Sequence, residues 1–178
     1  MESNHKFTGS FFNRISVIIL VTITLFFYGC KVTYTFSGAS TTGLHTFSIV
    51  YFQNRAPVVQ TGLSQSITEA LIDKCKAQTN LKYVTTTGDA SFEGEISDYN
   101  SRPMTVGADA SAATNRFSIS VKIKFTNAVN PDLSFEQTFT RYKDFPGNQE
   151  LSSVEKSYSD EIVDMLVEDI FNQAFVNW

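Results

Sequence analysis

Few residues in this chain have the type and spacing to do chemistry, and the most informative of them is a cysteine. Cys30 follows Ile15–Tyr28 (ISVIILVTITLFFY), a run of 14 residues without a charge that is itself preceded by Lys6 and Arg14. A helix needs roughly 20 apolar residues to cross a bilayer, so the run fits a secretory h-region, the alternative being an uncleaved membrane anchor if Phe11 and Phe12 lengthen it. Gly29 is the small residue that signal peptidase II needs before a lipid-modified cysteine, whereas Phe27 and Tyr28 are bulkier than usual at their positions. The chemistry expected at Cys30 is therefore attachment of a lipid through its sulfur. The chain has 2 cysteines, so a lipidated Cys30 leaves Cys75 without a disulfide partner. Cys75 lies four residues after Leu71 on one helical face and reads as a small buried hydrophobe.

The rest of the inventory is sparse. Beyond residue 30 there is a single histidine, His45, so neither a Ser-His-Asp triad nor a histidine-based metal cluster can be assembled within the chain. Gly94 and Gly107 are isolated, and no glycine-rich phosphate loop occurs. Glu93/Glu95 and Asp160/Glu161/Asp164 have the residue type for acid–base work, but a solvated strand face and a solvated helix face account for them. The sequence is not read as an enzyme, and no cofactor or metal is expected. Once residues 1–29 are set aside, 12 basic and 17 acidic residues remain, giving a net charge of −5. That sign excludes a general nucleic-acid binder, which displaces counterions with a basic surface.

The elements that must position these residues follow from periodicity. At 178 residues, 42% hydrophobic and 18% charged, the chain has material for one folded domain. The expected organisation is a cleaved signal peptide at 1–29, a lipidated Thr/Ser/Gly-rich tether at 30–43 and a domain at 44–178. Thr46–Phe52 is β-branched and aromatic, and a strand is expected there, ended by Asn54–Pro57. Leu63, Ile67, Ala70, Leu71 and Cys75 recur at helical spacing and predict a helix over Gly62–Gln78. Short and long strands are expected at Leu81–Val84 and Ala90–Tyr99, the latter with Phe92 and Ile96 inward and Glu93 and Glu95 outward. Arg116–Thr126 alternates most clearly, with Phe117, Ile119, Val121, Ile123 and Phe125 on one face and Arg116, Ser118, Ser120, Lys122 and Lys124 on the other.

Leu133–Tyr142 repeats that alternation, with Leu133, Phe135 and Phe139 inward. Asn130-Pro-Asp132 provides the turn of the hairpin. A cross-strand charge ladder of Glu93, Glu95, Lys122, Lys124 and Glu136 is expected. Ser152-Ser-Val-Glu155 predicts a capping box and a helix start near Ser152. Val154, Tyr158, Ile162, Met165, Leu166, Ile170 and Ala174 form the apolar stripe of that helix. A mostly antiparallel sheet with one apolar face and two amphipathic helices packed on it is an α+β, two-layer α/β sandwich.

Five segments spread over the chain, GCKVTYTFSGAS, SIVYFQNRAP, LSQSITEALIDK, NRFSISVKIKFTN and EDIFNQAFVNW, resemble the Bacteroidetes branch of the LptE family, the lipoproteins of lipopolysaccharide assembly. The similarity runs from Cys30 to Trp178 and rests on breadth, not on one diagnostic motif. It implies a protein without catalytic activity that plugs the β-barrel of an LptD-like partner, assists its folding and binds lipopolysaccharide on its way to the outer leaflet.

Lys31 is not the aspartate that retains lipoproteins in the inner membrane, and no acidic run follows Cys30. The expected place is therefore the outer membrane, lipid-anchored on the periplasmic side. Ser118, Ser120, Lys122 and Thr138 on the wet sheet face are the candidate barrel contacts. Arg102 and Arg116, flanking the long connection Asn100–Asn115, are the candidate lipopolysaccharide contacts. These positions are chosen by residue chemistry, because no motif of the family aligns with them. Two other classes remain open: a lipid-anchored binding module of another envelope complex, such as a pilotin-like or secretion-system lipoprotein, and an envelope acid–base enzyme using Glu93, Glu95 or the last helix.

Overall fold

The computed structural model describes residues 40–104 and 114–176, all within the compact unit Thr35–Trp178. Cys30 and residues 31–39 of the expected tether lie outside the described residues. Alternation of apolar and polar residues makes the central strands, and they are longer than the sequence predicts. In chain order the elements are β1 (Thr46–Ile49), β2 (Gln53–Asn54), α1 (Leu63–Gln78), β3 (Lys82–Tyr83), β4 (Ala90–Met104), β5 (Thr114–Asn127), β6 (Phe135–Pro146) and α2 (Glu155–Phe171). A π-helical turn, Asn172–Val176, continues α2.

The sheet order is β3-β1-β4-β5-β6, with β2 pairing β4 further along the edge that β1 occupies. The β4–β5 and β5–β6 ladders are antiparallel, whereas β1 and β2 run parallel to β4, and β3 parallel to β1. Helix α1 supplies the crossover between the parallel strands β2 and β3. Both helices pack on the sheet face that carries Phe117, Ile119, Val121, Ile123 and Phe125. Leu63, Ile67, Leu71 and Cys75 of α1 and Ile162, Leu166 and Ile170 of α2 close that core. Phe92, Phe125 and Phe175 form its aromatic centre, with ring centroids 4.8 to 5.9 Å apart. The expected two-layer α+β architecture is the one observed.

Four local expectations are corrected. The strand at Thr46–Phe52 ends at Ile49: the chain kinks so that Val50 and Tyr51 face solvent and Phe52 is fully buried. Gly94 makes the kink possible, because a Cβ there would lie 2.7 Å from the Phe52 ring. The segment Asn100–Asn115 is not a long connection. Strand β4 runs on to Met104 and β5 starts at Thr114, after a bulge between Ile96 and Asp98 that resets the alternation.

At the β5–β6 turn, Leu133 sits in a 3₁₀ turn, Pro131–Leu133, and is exposed instead of pointing into the core. The last helix starts at Glu155, preceded by a 3₁₀ turn at Leu151–Ser153, and it has no side-chain cap. The Glu155 carboxylate accepts a 2.6 Å hydrogen bond from the Tyr99 hydroxyl, which anchors the helix start to β4 in place of a capping box.

A candidate binding face on the uncovered side of the sheet

Strand parity places two groups of polar side chains on the face opposite the helices. The first group is the charge ladder. Glu93 and Glu136 flank Lys124 across the strands, and Glu95 and Thr138 flank Lys122. Lys122 reaches diagonally to Glu136 at 2.5 Å, Lys124 lies 3.9 Å from Glu93, and Arg55 lies 3.8 Å from Glu95. The Lys122 hydrogen bond holds the Glu136 carboxyl below its ordinary range, and Glu136 in turn raises Lys122. Val50, Tyr51 and Gly94 border this ladder around a shallow recess of about 320 Å³.

The second group lies towards the β4–β5 hairpin and surrounds a recess of about 300 Å³. Here Arg102 and Arg116 stand directly opposite one another on β4 and β5. Arg116 forks onto Asp144 through two bonds of 2.7 and 2.8 Å, and its guanidinium lies 3.6 Å above the Tyr142 ring. That pairing lowers the Asp144 pKa and raises that of Arg116. Arg102 has no carboxylate partner among the described residues. Around the arginines, Ser118 donates to Asn100 at 3.3 Å, Asn100 donates to Asp98, and the Ser120 and Thr140 hydroxyls are 2.8 Å apart.

The structure thus brings Ser118, Ser120, Lys122, Thr138, Arg102 and Arg116 onto one face, but with unequal access. Lys122, Thr138 and Arg102 are exposed, Ser118 and Arg116 are partly covered, and Ser120 is buried at 8% exposure with its hydroxyl engaged. Sequence reasoning missed Asp98, Asn100, Thr140, Tyr142 and Asp144. The alternation of the expected strand Leu133–Tyr142 already places Thr140 and Tyr142 on this face, and extending it to Pro146 adds Asp144. It also missed that Arg141 and Lys143, of opposite parity, turn towards α2, where Arg141 forks onto Asp169 and Lys143 pairs with Glu161.

What this face can do chemically is bind. It offers cations, hydroxyls and amides around two shallow recesses. Among the described residues no group of three His, Cys, Asp or Glu side chains is placed to hold a metal. Burial pushes the Cys75 thiol up to about 12, which leaves it protonated and inert, as its position on the helix predicts. His45 is exposed, and its backbone N–H donates to Asp89 at 2.9 Å.

The class of protein is set by its architecture, a two-layer α+β domain that spends one sheet face on its core and keeps the other polar and open to a partner. The sequence profile of LptE, described as lipopolysaccharide assembly, matches residues 44–174, and the chain belongs to this family. No curated protein matches the chain in sequence. Among solved structures, a minor lipoprotein from Acinetobacter baumannii is similar at 11% identity and a TM-score of 0.49, covering 73% of this chain and 91% of that one. Lipoprotein B from Nitrosomonas europaea is similar at 18% identity and a TM-score of 0.48, covering 80% and 88%.

Proposed function

We propose that the chain is a lipoprotein, acylated at Cys30 and held on the periplasmic side of the outer membrane, where it plugs and assembles an LptD-like β-barrel and contacts lipopolysaccharide in transit. The observation that carries this reading is the uncovered sheet face. A plug must present polar, hydrogen-bonding surface to a mostly polar barrel lumen, and the face formed by β4, β5 and β6 does so, with Lys122 and Thr138 exposed on it. Membership of the lipopolysaccharide-assembly family supports the same role. At the hairpin end, the phosphates and acidic sugars of lipopolysaccharide call for cations. Arg102 is the readier contact, since Asp144 already occupies Arg116.

The test is photo-crosslinking in cells from Thr138 and Lys122, with Glu69, exposed on α1 away from this face, as a control. A crosslinked outer-membrane barrel from the two exposed positions is the expected product. Its absence from both, in cells where the protein is folded and anchored, removes the plug role. Cys30→Ser is expected to leave an uncleaved precursor that takes up no fatty-acid label, and unchanged labelling would remove the anchor.

A further inference from the structure

We propose that the turn between β5 and β6, with Val129 and Leu133 at its tip, is seated in a lipid surface and orients the domain end-on to the membrane; this rests on the reading of Cys30 as the lipid anchor. The chain enters the fold beside this turn. The Ser40 N–H donates to the Phe175 carbonyl at 2.7 Å, and Gly43 lies against Val129 so closely that a Cβ on it would be 3.0 Å from Val129 Cγ1. Nine residues separate Cys30 from Ser40. At up to ~3.6 Å per residue they reach no more than roughly 35 Å. The tether therefore joins the domain at the end that carries Val129, which puts this end, of all the domain, within the shortest reach of the anchored Cys30.

The turn is built for that setting. Val129 is 52% exposed and Leu133 37%, so two aliphatic side chains project from one short connection. Most of its backbone donors are satisfied from within the protein. Asn127 Oδ1 accepts from the N–H groups of Val129 and Asn130, and the Ala128 N–H donates to the Asp89 carbonyl. Leu133 and Ser134 donate to the carbonyls of Asn130 and Pro131, and Pro131 has no N–H to satisfy. A turn that leaves few donors seeking water loses little when lipid replaces water.

Asp132 sits between the two apolar residues and is exposed, which keeps the turn at the depth of the headgroups, short of the hydrocarbon. Two half-exposed side chains do not hold a protein on a membrane alone. They act because the anchor keeps them there at high effective concentration. Arg102, at the opposite end of β4, is then directed away from the leaflet that carries the anchor.

The experiment uses the lipidated full chain reconstituted in phosphatidylethanolamine/phosphatidylglycerol vesicles, with an environment-sensitive fluorophore placed singly by Val129→Cys, Leu133→Cys or Met104→Cys. Cys75 is fully buried and does not compete for the label. Bromine-labelled lipids are expected to quench the probes at 129 and 133, with a blue shift, and to leave the probe at 104 unquenched. Vesicle flotation with no quenching at 129 and 133, or equal quenching at all three positions, overturns the seat while the anchor stands. Failure of the labelled fatty acid and of the protein to float together removes the anchor reading and this proposal with it.

Discussion

Single residues in this fold matter chiefly where backbone and side chain approach closely. Gly88 sits where β1 and β4 are stapled together, and a Cβ there would lie 2.8 to 2.9 Å from backbone atoms of Phe47 and Ser48. Backbone cannot swing aside as a side-chain tip does, so Gly88→Ala is expected to destabilise the domain by about 1–3 kcal/mol, measured by urea unfolding. The neighbouring Asp89 completes the staple. Its Oδ2 accepts 2.9 Å bonds from the His45 N–H, the Thr46 N–H and the Thr46 hydroxyl, and these bonds, the His45 one foremost, hold its pKa below the ordinary value.

A depressed carboxyl pKa stabilises the fold above the unfolded value, near ~3.9, and that contribution is lost as the pH falls through the folded one. Asp89→Ala is therefore expected to be less stable than the parent at pH 7, with the gap closing below about pH 3.9. Parallel urea titrations at neutral and acid pH test this. A gap that is unchanged between them would exclude the carboxylate as its source.

At the scale of elements, burial outweighs the visible ion pairs. Helix α2 shows three pairings to neighbouring elements, Arg141–Asp169, Lys143–Glu161 and Lys74–Glu168, all with at least one partly solvated partner. Pairs of that kind contribute about 0–1 kcal/mol each. Leu166, fully buried under the sheet, is a different matter, and Leu166→Ala is expected to cost ~2–5 kcal/mol against less than ~1 kcal/mol for Asp169→Ala. The same contrast explains which elements were legible in the sequence. Strand β5 and helix α1 were, because their apolar residues repeat at periods of two and of three to four. Their bounds came within a residue or two.

The kink at Val50-Tyr51 was not legible, since it depends on the Phe52 ring finding room over Gly94, two strands' worth of chain away. Nor was the true start of α2. Its Glu155 has the spacing of a capping residue, but a long-range hydrogen bond from Tyr99 captures its carboxylate. On the candidate face, the alternation of β5 gave Ser118 and Lys122 their side of the sheet. It carried no sign that Ser120 would be covered by Thr140 and Asp98 across the strands, or that Asp144 would take up Arg116.

Across the whole molecule, the division of the sheet into a buried and an open face makes stability and partner recognition separable. Ile123 and Lys122 are adjacent in sequence and point to opposite sides, one fully buried beneath the helices and the other exposed on the ladder. Thr138 stands across from Lys122, exposed, and no hydrogen bond to its side chain ties it into the fold among the described residues. A bulky acidic change at Thr138 therefore removes no buried contact, and Thr138→Glu is expected to shift stability by no more than ~0.5 kcal/mol. The same change sets a new charge on the surface proposed to face the barrel wall and adds to Glu95 and Glu136 nearby, so recovery of the barrel with the anchored protein is expected to fall sharply.

Ile123→Asp is expected to do the reverse of a clean surface change. It buries an unpaired carboxylate and unfolds the domain, so loss of the barrel there would carry no information about the interface. The informative comparison is Thr138→Glu against an exposed site outside the open face, such as Glu69→Lys on α1, with unfolding midpoints and barrel recovery from solubilised outer membranes measured on the same preparations. Normal midpoints for both, with the barrel lost only for Thr138→Glu, is the pattern that a sheet-face interface requires. Loss with both would point to a general effect of charge, and retention with Thr138→Glu would place the partner elsewhere on the domain.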